Sequence, residues 1–348
     1  MVVQLPNIAE FVLVWFGLQR LGAVPVHAMP GHRRSEIGHL VHGSGAVAYI
    51  VPDRYARFDH RELAAEFHGV PGNRDGLRHV VVVGDPGPHK EFVAFADLLA
   101  EPAAPGQLSD GGAVAGDLAL LSLSGGTTGL PKLVPRTHDD YAYNAVAAAQ
   151  AAGLAENSVY LAVLPVGFNF TFACPGVLGT LCCGGAVVLA PDPSPQTAFP
   201  LIEREQVTIT PLSPPLVPHW LNEYRTYRAA LDTLQVLQVG GARLADELAR
   251  RAGPALATRA ALGGAAGMAV PTSAGSLSAR ISSVREWPRA ERHDRRTISP
   301  HLRNPARAAI FHGPAHGFSV GTGATNQSSR SRSHQVPRLS SQALTARR

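Results

Sequence analysis

Short apolar segments alternate with amphipathic ones over the first 50 residues of the chain. The apolar segments have the length of buried strands, whereas the others repeat apolar residues at intervals of three and four, as helices do. The predicted order is strand, helix, strand, helix and strand, in VVQLP, residues 8–21, AVPVHA, residues 35–43 and AVAYIV. This alternation indicates an α/β domain built in layers around a parallel sheet.

The alternation continues to about residue 252, after a charged stretch at residues 60–115 that contains one clear strand, HVVVVG. Later strands are predicted in LALLSLS, SVYLAVLP, AVVLA, VTITPL and LQVLQVGG. Helices are predicted from Asp139 or Asp140 to Ala152, and over residues 176–183, 195–205 and 243–252. The acidic residues that begin the first of these helices suit its dipole.

The chain changes character after about residue 253. Residues 271–348 contain 13 arginines, no lysine and three acidic residues, so their formal net charge is +10. The other 270 residues carry 18 basic and 23 acidic side chains, a net charge of −5. Because the tail lacks periodicity and long apolar runs, we expect it to bury no core. The sequence therefore predicts a domain over residues 1–253 and a disordered or frameshifted tail over residues 254–348.

The overall composition is that of a globular protein. The chain has 348 residues, 45% of them hydrophobic, which is enough for one large or two ordinary domains. Gln19 and Arg20 interrupt its most apolar N-terminal segment, so neither a signal peptide nor a membrane span is expected. Three cysteines fall in or near a predicted buried strand, without metal-ligand spacing: Cys174, Cys182 and Cys183. We expect a cytoplasmic protein with reduced thiols and no His or Cys metal site.

The segment LSLSGGTTGLPK at residues 121–132 has the composition of a phosphate-binding loop. Its glycines let the backbone approach an anion, its hydroxyl groups donate hydrogen bonds, and its lysine supplies positive charge. The predicted phosphate-binding residues are Ser124, Gly125, Gly126, Thr127, Thr128, Gly129 and Lys132. A Walker loop is excluded, because Leu130 and Pro131 stand where that motif requires its second glycine. The alternative is a plain Gly/Thr turn in which Lys132 is a solvated surface lysine.

This segment matches the [ST]-[ST]-G-[ST]-T-G-x-P-K signature of the adenylate-forming enzymes, with Gly126 inserted among the expected hydroxyl residues. Extended to SGGTTGLPKLVPRTHDDY, it resembles the subfamily that activates 2,3-dihydroxybenzoate or salicylate for siderophore synthesis. Four more blocks agree in order: VVQLPNIAEFVLVWFGLQRLGAVPV, SVYLAVLPVGFNFTFACPGVLGTL, SPQTAFPLIEREQVTITPLSPPL and LQVLQVGGARL. The resemblance covers residues 2 to about 253, and implies a family member that is truncated at both ends.

The resemblance implies a partial large N-terminal domain of an enzyme that uses ATP and Mg²⁺ to convert an aryl acid to its AMP ester. The aryl group then passes to an aryl carrier protein. The implied partners are thus the aryl acid and that carrier protein, with no membrane and no specific nucleic acid. The loop at residues 124–132 would hold the β- and γ-phosphates of ATP.

The resemblance also assigns residues to two further parts of the site. The implied aryl-acid pocket contains Phe168, Asn169, Phe170 and Cys174, and the implied adenine and adenylate contacts are Gly240, Gly241 and Ala242. A neutral Asn169 suits an acid without an amino group, and Cys174 favours salicylate because dihydroxybenzoate-type members tend to carry the more polar Ser. Phe168 departs from the family's usual His. The alternatives are a turn role for Asn169, a small buried hydrophobe at Cys174 and a plain turn at the glycines.

Three charged groups of the family are missing, so no catalytic residue is predicted. Val270 stands where the motif glutamate belongs, and neither the ribose-binding aspartate nor the C-terminal-domain lysine is recognisable. We therefore expect little or no adenylation, since losing preorganised charge costs orders of magnitude in rate.

Two interpretations of the tail follow from its abrupt change to Arg, Ser, Pro and Ala. One is translation out of frame, which sequencing of the locus tests, because an indel near codon 253 should restore the family's reading frame. The other is a non-catalytic protein whose basic tail binds polyanions non-specifically.

Overall fold

Two β-sheets and their flanking helices make up the described part of the chain. The computed structural model describes residues 1–69, 76–100, 113–124, 129–224, 226, 231–256, 259–263, 269–271, 309–312 and 321–322. Residues 125–128 of the predicted phosphate loop, and most of the predicted tail with its basic residues, lie outside these ranges. The predicted α/β class is confirmed.

The first sheet is formed by the N-terminal strands. These strands are β1 (Val2–Val3), β2 (Val26–His27), β3 (Ala48–Pro52), β4 (Arg54–Tyr55), β5 (Phe58–Asp59), β6 (His79–Val83), β7 (Val93–Ala94), β8 (Leu118–Leu123) and β9 (Leu133–Thr137). Strands β4 and β5 pair only with each other, and the rest form one sheet in the order β7-β6-β3-β1-β2-β8-β9. All neighbours in this sheet are parallel except β8 and β9, which form an antiparallel hairpin around the predicted phosphate loop.

The second sheet follows in sequence. Its strands are β10 (Val159–Ala162), β11 (Ala186–Leu189), β12 (Ile209–Leu212), β13 (Val236–Val239), β14 (Arg259–Gly263), β15 (Ala269–Pro271), β16 (Ala309–His312) and β17 (Gly321–Thr322), in the order β15-β14-β13-β12-β10-β11-β16-β17. The central strands from β14 to β11 are parallel, and the strands outside them join antiparallel. Strands β14 to β17 belong to the predicted tail.

Ten helices flank the sheets in the described residues. They are α1 (Ala9–Arg20), α2 (Arg34–Ser44), α3 (His60–Ala65), α4 (Phe95–Ala100), α5 (His138–Ala152), α6 (Asn169–Ala173), α7 (Gly176–Cys182), α8 (Pro195–Glu205), α9 (Leu216–Glu223) and α10 (Asp246–Leu256). Helix α5 begins where the Thr137 side chain accepts a hydrogen bond from the Asp140 N–H group, and ends at Gly153 in the left-handed conformation.

The bounds of one predicted helix need correction. The helix predicted over residues 243–252 begins at Asp246 and extends to Leu256. Cys174 ends α6, and Cys182 and Cys183 end α7, which occupies the helix predicted over residues 176–183 and precedes the buried strand β11.

Asn7 joins the two sheets through its side chain. Its amide nitrogen Nδ2 donates to the carbonyl oxygens of Ala162, Leu164 and Ala190 at 3.0, 3.0 and 2.9 Å. Its Oδ1 accepts the N–H group of Val166 at 2.7 Å. One side chain therefore satisfies four main-chain groups just beyond the carboxyl ends of β10 and β11, beside the segment that carries the predicted aryl-acid residues.

Candidate functional site

The three predicted parts of the site all follow the carboxyl ends of strands. Ser124 comes directly after β8, residues 168–174 follow β10, and Gly240 comes directly after β13. Open α/β sheets bind ligands at this end of their strands, where successive loops meet. Residues 168–174 and Gly240 follow strands of the second sheet, whereas Ser124 follows a strand of the first.

The neck of the predicted phosphate loop is closed by two hydrogen bonds. The Ser124 N–H group donates to the Lys132 carbonyl at 3.0 Å, and the Lys132 N–H group donates to Ser124 Oγ at 3.0 Å. Gly129 has a φ of +120°, a conformation that side chains disfavour. His39 of α2 contacts the loop, with its Nε2 2.9 Å from the Pro131 carbonyl. The Lys132 side chain is exposed, so its amine is accessible to a phosphate.

The predicted aryl-acid residues surround a buried thiol. Cys174 is only 5% exposed, and the Nδ2 group of Asn169 donates to its Sγ at 3.4 Å. A second amide, Asn144 of α5, donates to the same sulfur at 3.4 Å and to the Ala173 carbonyl at 2.8 Å. The thiol is therefore held between two neutral amides.

Two buried amide oxygens at this cluster have no hydrogen-bond partner among the described residues. They are Oδ1 of Asn169 and Oε1 of Gln238. Gln238, on β13, is 1% exposed, and its Nε2 donates to the Cys174 carbonyl at 3.5 Å. An unpaired buried acceptor costs about 1–3 kcal/mol, so both oxygens suit a ligand that brings hydroxyl donors.

Asn144 and Gln238 are site residues that the sequence reasoning missed. Asn144 lies 30 residues before Cys174 and Gln238 lies 64 residues after it. No local spacing connects either residue with the thiol, and only the pairing of distant elements does so. Gln238 stands two residues before Gly240 in the block LQVLQVGGARL, which is the one sequence signal that pointed near it.

Gly240 lies against the ring of Phe170. A β-carbon at position 240 would stand 2.9 Å from Cζ of that ring, closer than packed atoms allow. The predicted adenylate motif and the predicted aryl-acid pocket are thus in direct contact. Gly241 has a φ of +89°, and both it and Ala242 are exposed. Phe168 is half-buried, and its carbonyl accepts the N–H groups that begin α6.

The side chains that form hydrogen bonds with the Cys174 thiol are both neutral amides. Burial raises the pKa of the Cys174 thiol, and the hydrogen bond from Asn144, the Arg136 charge and the hydrogen bond from Asn169 offset part of that shift. Burial also raises the pKa values of Tyr141 and Tyr160, which lie close enough to interact electrostatically with Cys174. The Arg136 guanidinium lies 5.2 Å from the centre of the Tyr141 ring. An uncharged lining suits an aromatic ring better than an ammonium group.

No metal centre is present in the described residues. They contain no group of three or more His, Cys, Asp or Glu side chains placed to hold a metal ion. Within the same ranges, none of the helices has the length and apolar content needed to cross a membrane.

Known proteins resemble this chain in sequence. The model of the AMP-binding enzyme family matches residues 1–297. A 2,3-dihydroxybenzoate-AMP ligase of Bacillus subtilis is 49% identical over 250 residues, which are 72% of this chain and 44% of that protein. A salicyl-AMP ligase / salicyl-S-ArCP synthetase of Mycobacterium tuberculosis is 46% identical over 258 residues, 73% of this chain and 43% of that protein. The chain spans less than half the length of these relatives.

A solved structure is similar over the same share of the chain. The apo structure of MbtA from Mycobacterium smegmatis has a TM-score of 0.64 and 44% sequence identity, covering 75% of this chain and 46% of that one. The similarity of fold and the similarity of sequence therefore coincide.

Proposed function

The chain belongs to the AMP-binding enzyme family, and from that premise we propose that it is the acid-recognising and ATP-recognising portion of an aryl-acid AMP ligase. The resemblance to the adenylate-forming enzymes is thereby confirmed, and these enzymes use ATP. The preferred acid is salicylate, with 2,3-dihydroxybenzoate as the alternative. The implied purpose is siderophore synthesis, and the implied partner an aryl carrier protein in the cytoplasm.

The observation that supports this proposal most directly is the uncharged cluster around Cys174. Oδ1 of Asn169 is buried and unpaired, so a phenolic hydroxyl beside the carboxylate of salicylate would supply the donor it lacks. The cluster offers no carboxylate to pair with an amino group. Two of the relatives are named for 2,3-dihydroxybenzoate and for salicylate, the two acids that the proposal considers.

The proposed reaction joins the acid to the α-phosphate of ATP. A carboxylate oxygen attacks that phosphorus, a new P–O bond forms, and the bond to the β-phosphate oxygen breaks with its electron pair leaving on pyrophosphate. In this chain the loop at residues 124–132 would hold the β- and γ-phosphates, with Lys132 neutralising charge. Gly240, Gly241 and Ala242 would meet the acyl-adenylate through their backbone, and the packing of Gly240 against Phe170 places this motif beside the aryl-acid segment.

Magnesium is assigned no protein ligand in this chain. The described residues offer no cluster of metal-binding side chains, and Val270 stands at the position of the family's acid. Mg²⁺ would enter with ATP and would supply positive charge that offsets the charge of its phosphates.

We expect this chain to bind both reactants and to adenylate poorly. Preorganised charge that would stabilise the transition state is missing with the family's glutamate, aspartate and lysine, and such losses reduce rates by orders of magnitude. ATP–pyrophosphate exchange measures the reaction directly. The same gene with its family-like frame restored is the positive control, and normal exchange by the chain as written would contradict the expectation.

Binding is tested by calorimetry on the full chain with salicylate, 2,3-dihydroxybenzoate, benzoate and ATP. Salicylate should bind more tightly than benzoate, because benzoate has no hydroxyl to pair with Asn169. The chain has two lysines, both exposed, which gives a matched pair of variants. Lys132→Ala should weaken ATP binding several-fold and Lys90→Ala should not. A folded chain that binds neither hydroxylated acid would overturn the proposal.

A further inference from the structure

The sulfur of Cys174 is held from two different elements. Asn169 belongs to α6, the same segment as the thiol, and lies five residues away. Asn144 belongs to α5, which directly follows the β8–β9 hairpin of the phosphate loop. The hydrogen bond from Asn144 therefore connects the thiol, at the end of α6, with a different helix, α5.

Asn144 makes a second hydrogen bond that fixes its own position. Its Nδ2 donates to the Ala173 carbonyl at 2.8 Å as well as to Cys174 Sγ at 3.4 Å. In return the Cys174 thiol points at Oδ1 of Asn144, 3.8 Å away. Both polar atoms of the Asn144 amide thus face residues 173 and 174, which form the floor of the predicted pocket.

The helix that carries Asn144 has little freedom to move. A β-carbon at Gly179 of α7 would stand 2.8 Å from the Ala145 carbonyl and 2.8 Å from Cβ of Pro175. Helix α5 therefore packs against the backbone of α7 at Gly179, through the residue that follows Asn144. Close packing of this kind transmits a change of side chain directly to the pocket floor.

We propose that Asn144 is a positioning residue that holds Cys174 Sγ and the Ala173 carbonyl in place, and so sets the selectivity of the pocket for ortho-hydroxylated aryl acids. The selectivity part rests on the proposed function, whereas the positioning part does not. With its lone pairs engaged by two amides, the sulfur is not free to accept a hydrogen bond from the ligand. The ortho hydroxyl is then directed to Asn169 Oδ1 instead.

The positioning role is tested by titrating the thiol in the full chain. Cys182→Ser and Cys183→Ser leave Cys174 as the sole cysteine, and its alkylation rate by iodoacetamide is measured from pH 7 to 11. Because the thiolate is the reactive form, the midpoint reports the thiol pKa when the reagent reaches the folded protein. Asn144→Ala should raise the midpoint, because a donor that favours the thiolate is lost. Asn144→Leu should do the same while it keeps the side-chain volume.

Asn222→Ala is the matched control, since it removes an exposed asparagine from α9. A midpoint in both Asn144 variants equal to that of the control, with unchanged circular dichroism, would overturn the positioning role. The selectivity role predicts that Asn144→Leu lowers the salicylate-to-benzoate affinity ratio several-fold, and an unchanged ratio would overturn it. If the unsubstituted chain binds neither acid, the proposed function and the selectivity role fail, and the thiol midpoint still decides the positioning role.

Discussion

Gly240 and Phe170 are in contact so close that position 240 has no room for a β-carbon. The shortest distances from that carbon would be 2.9, 3.1 and 3.2 Å, all to atoms of the Phe170 ring. Phe170 is itself 6% exposed and packs in the core of the second sheet. The glycine after β13 is thus fixed by packing of the aryl-acid segment.

Replacement of Gly240 by alanine should destabilise the protein by about 1–3 kcal/mol, because the Phe170 ring must leave its packed position. Urea unfolding followed by fluorescence gives the free energy. Gly17→Ala is the control, since a β-carbon at position 17 would have no atom within 4 Å and the residue is exposed in α1. That variant should be neutral or more stable by about 0.5–1 kcal/mol. Equal stability of both variants would contradict the contact.

Protonation of His27 should destabilise the fold in acid. Burial lowers the pKa of His27 to about 4, below its ordinary value of about 6.5. The unfolded chain therefore binds the proton more tightly than the folded chain. The contribution of neutral His27 to the free energy of unfolding is present above pH 6.5 and is lost as the pH falls towards 4. The cost at pH 4.5 is about 2–3 kcal/mol.

His27→Phe should show a shallower loss of unfolding free energy between pH 7 and pH 4.5 than the unsubstituted chain. Phenylalanine suits the site, since His27 meets Phe11 and Phe172 edge to face at 5.4 and 5.3 Å. The pKa values of His32 and His60 are also lowered by burial, but they act equally in both proteins. His219→Gln, at an exposed position of α9, should keep the original slope. If the unfolding free energy of His27→Phe fell with pH as steeply as that of the unsubstituted chain, protonation of His27 would not be what destabilises the fold.

The Asp59 carboxylate should stabilise the region around α3. It accepts hydrogen bonds from the Arg61 side chain at 2.6 and 2.9 Å and from the Arg54 side chain at 3.1 Å. It also accepts the main-chain N–H group of Arg61 and thereby caps α3. The Arg61 hydrogen bonds hold its pKa well below the ordinary value. Asp59→Asn should therefore cost about 1–3 kcal/mol at pH 7.

This cost should shrink as the pH falls below about 4, because Asp59 then binds a proton in the unfolded chain but not in the folded one, and this proton uptake stabilises the unfolded state of the unsubstituted protein. Unfolding free energies of the two proteins at pH 7 and pH 3 test this. Glu66→Gln, which breaks the exposed pair with Arg34, should cost less than about 1 kcal/mol. An equal loss in Asp59→Asn and Glu66→Gln would argue against a special role for Asp59.

Cys174→Ser should shift the preference of the pocket from salicylate towards 2,3-dihydroxybenzoate. A hydroxyl is a stronger hydrogen-bond partner than a thiol, so it compensates better for burying the additional hydroxyl of that acid. The ratio of the affinities for the two acids, measured by calorimetry, should change several-fold. Cys182→Ser changes an exposed cysteine outside the pocket and should leave the ratio unchanged; a similar shift in both variants would exclude a role for Cys174 in selectivity.

Helices and strands could be predicted from the sequence where the local pattern of apolar, capping and turn residues determines them. Helix α8 occupies the predicted residues 195–205, with Ser194 as its cap and proline at its first position. Helix α9 was missed because prolines surround and enter it in SPPLVPHW. Strand β9 was missed too, since Pro135 weakens a strand pattern and is tolerated at the edge of a sheet.

The candidate site was predictable only in part, for a related reason. Asn169 and Cys174 lie within one turn-rich block that the family resemblance singled out, and the structure brings them to 3.4 Å. Asn144 and Gln238 reach the same thiol through the packing of α5 and the register of β13. Tertiary contacts of this kind leave no periodic mark in the sequence.

The side chain of Asn7 has a consequence for how the protein is made. Its four partners lie between residues 162 and 190, so about 180 more residues must be synthesised after Asn7 before all of its hydrogen bonds can form. At about 5–20 residues per second that wait lasts on the order of ten seconds or more. Until then the Asn7 hydrogen bonds between the two sheets cannot form. The nascent chain is accessible to chaperones and proteases during that interval.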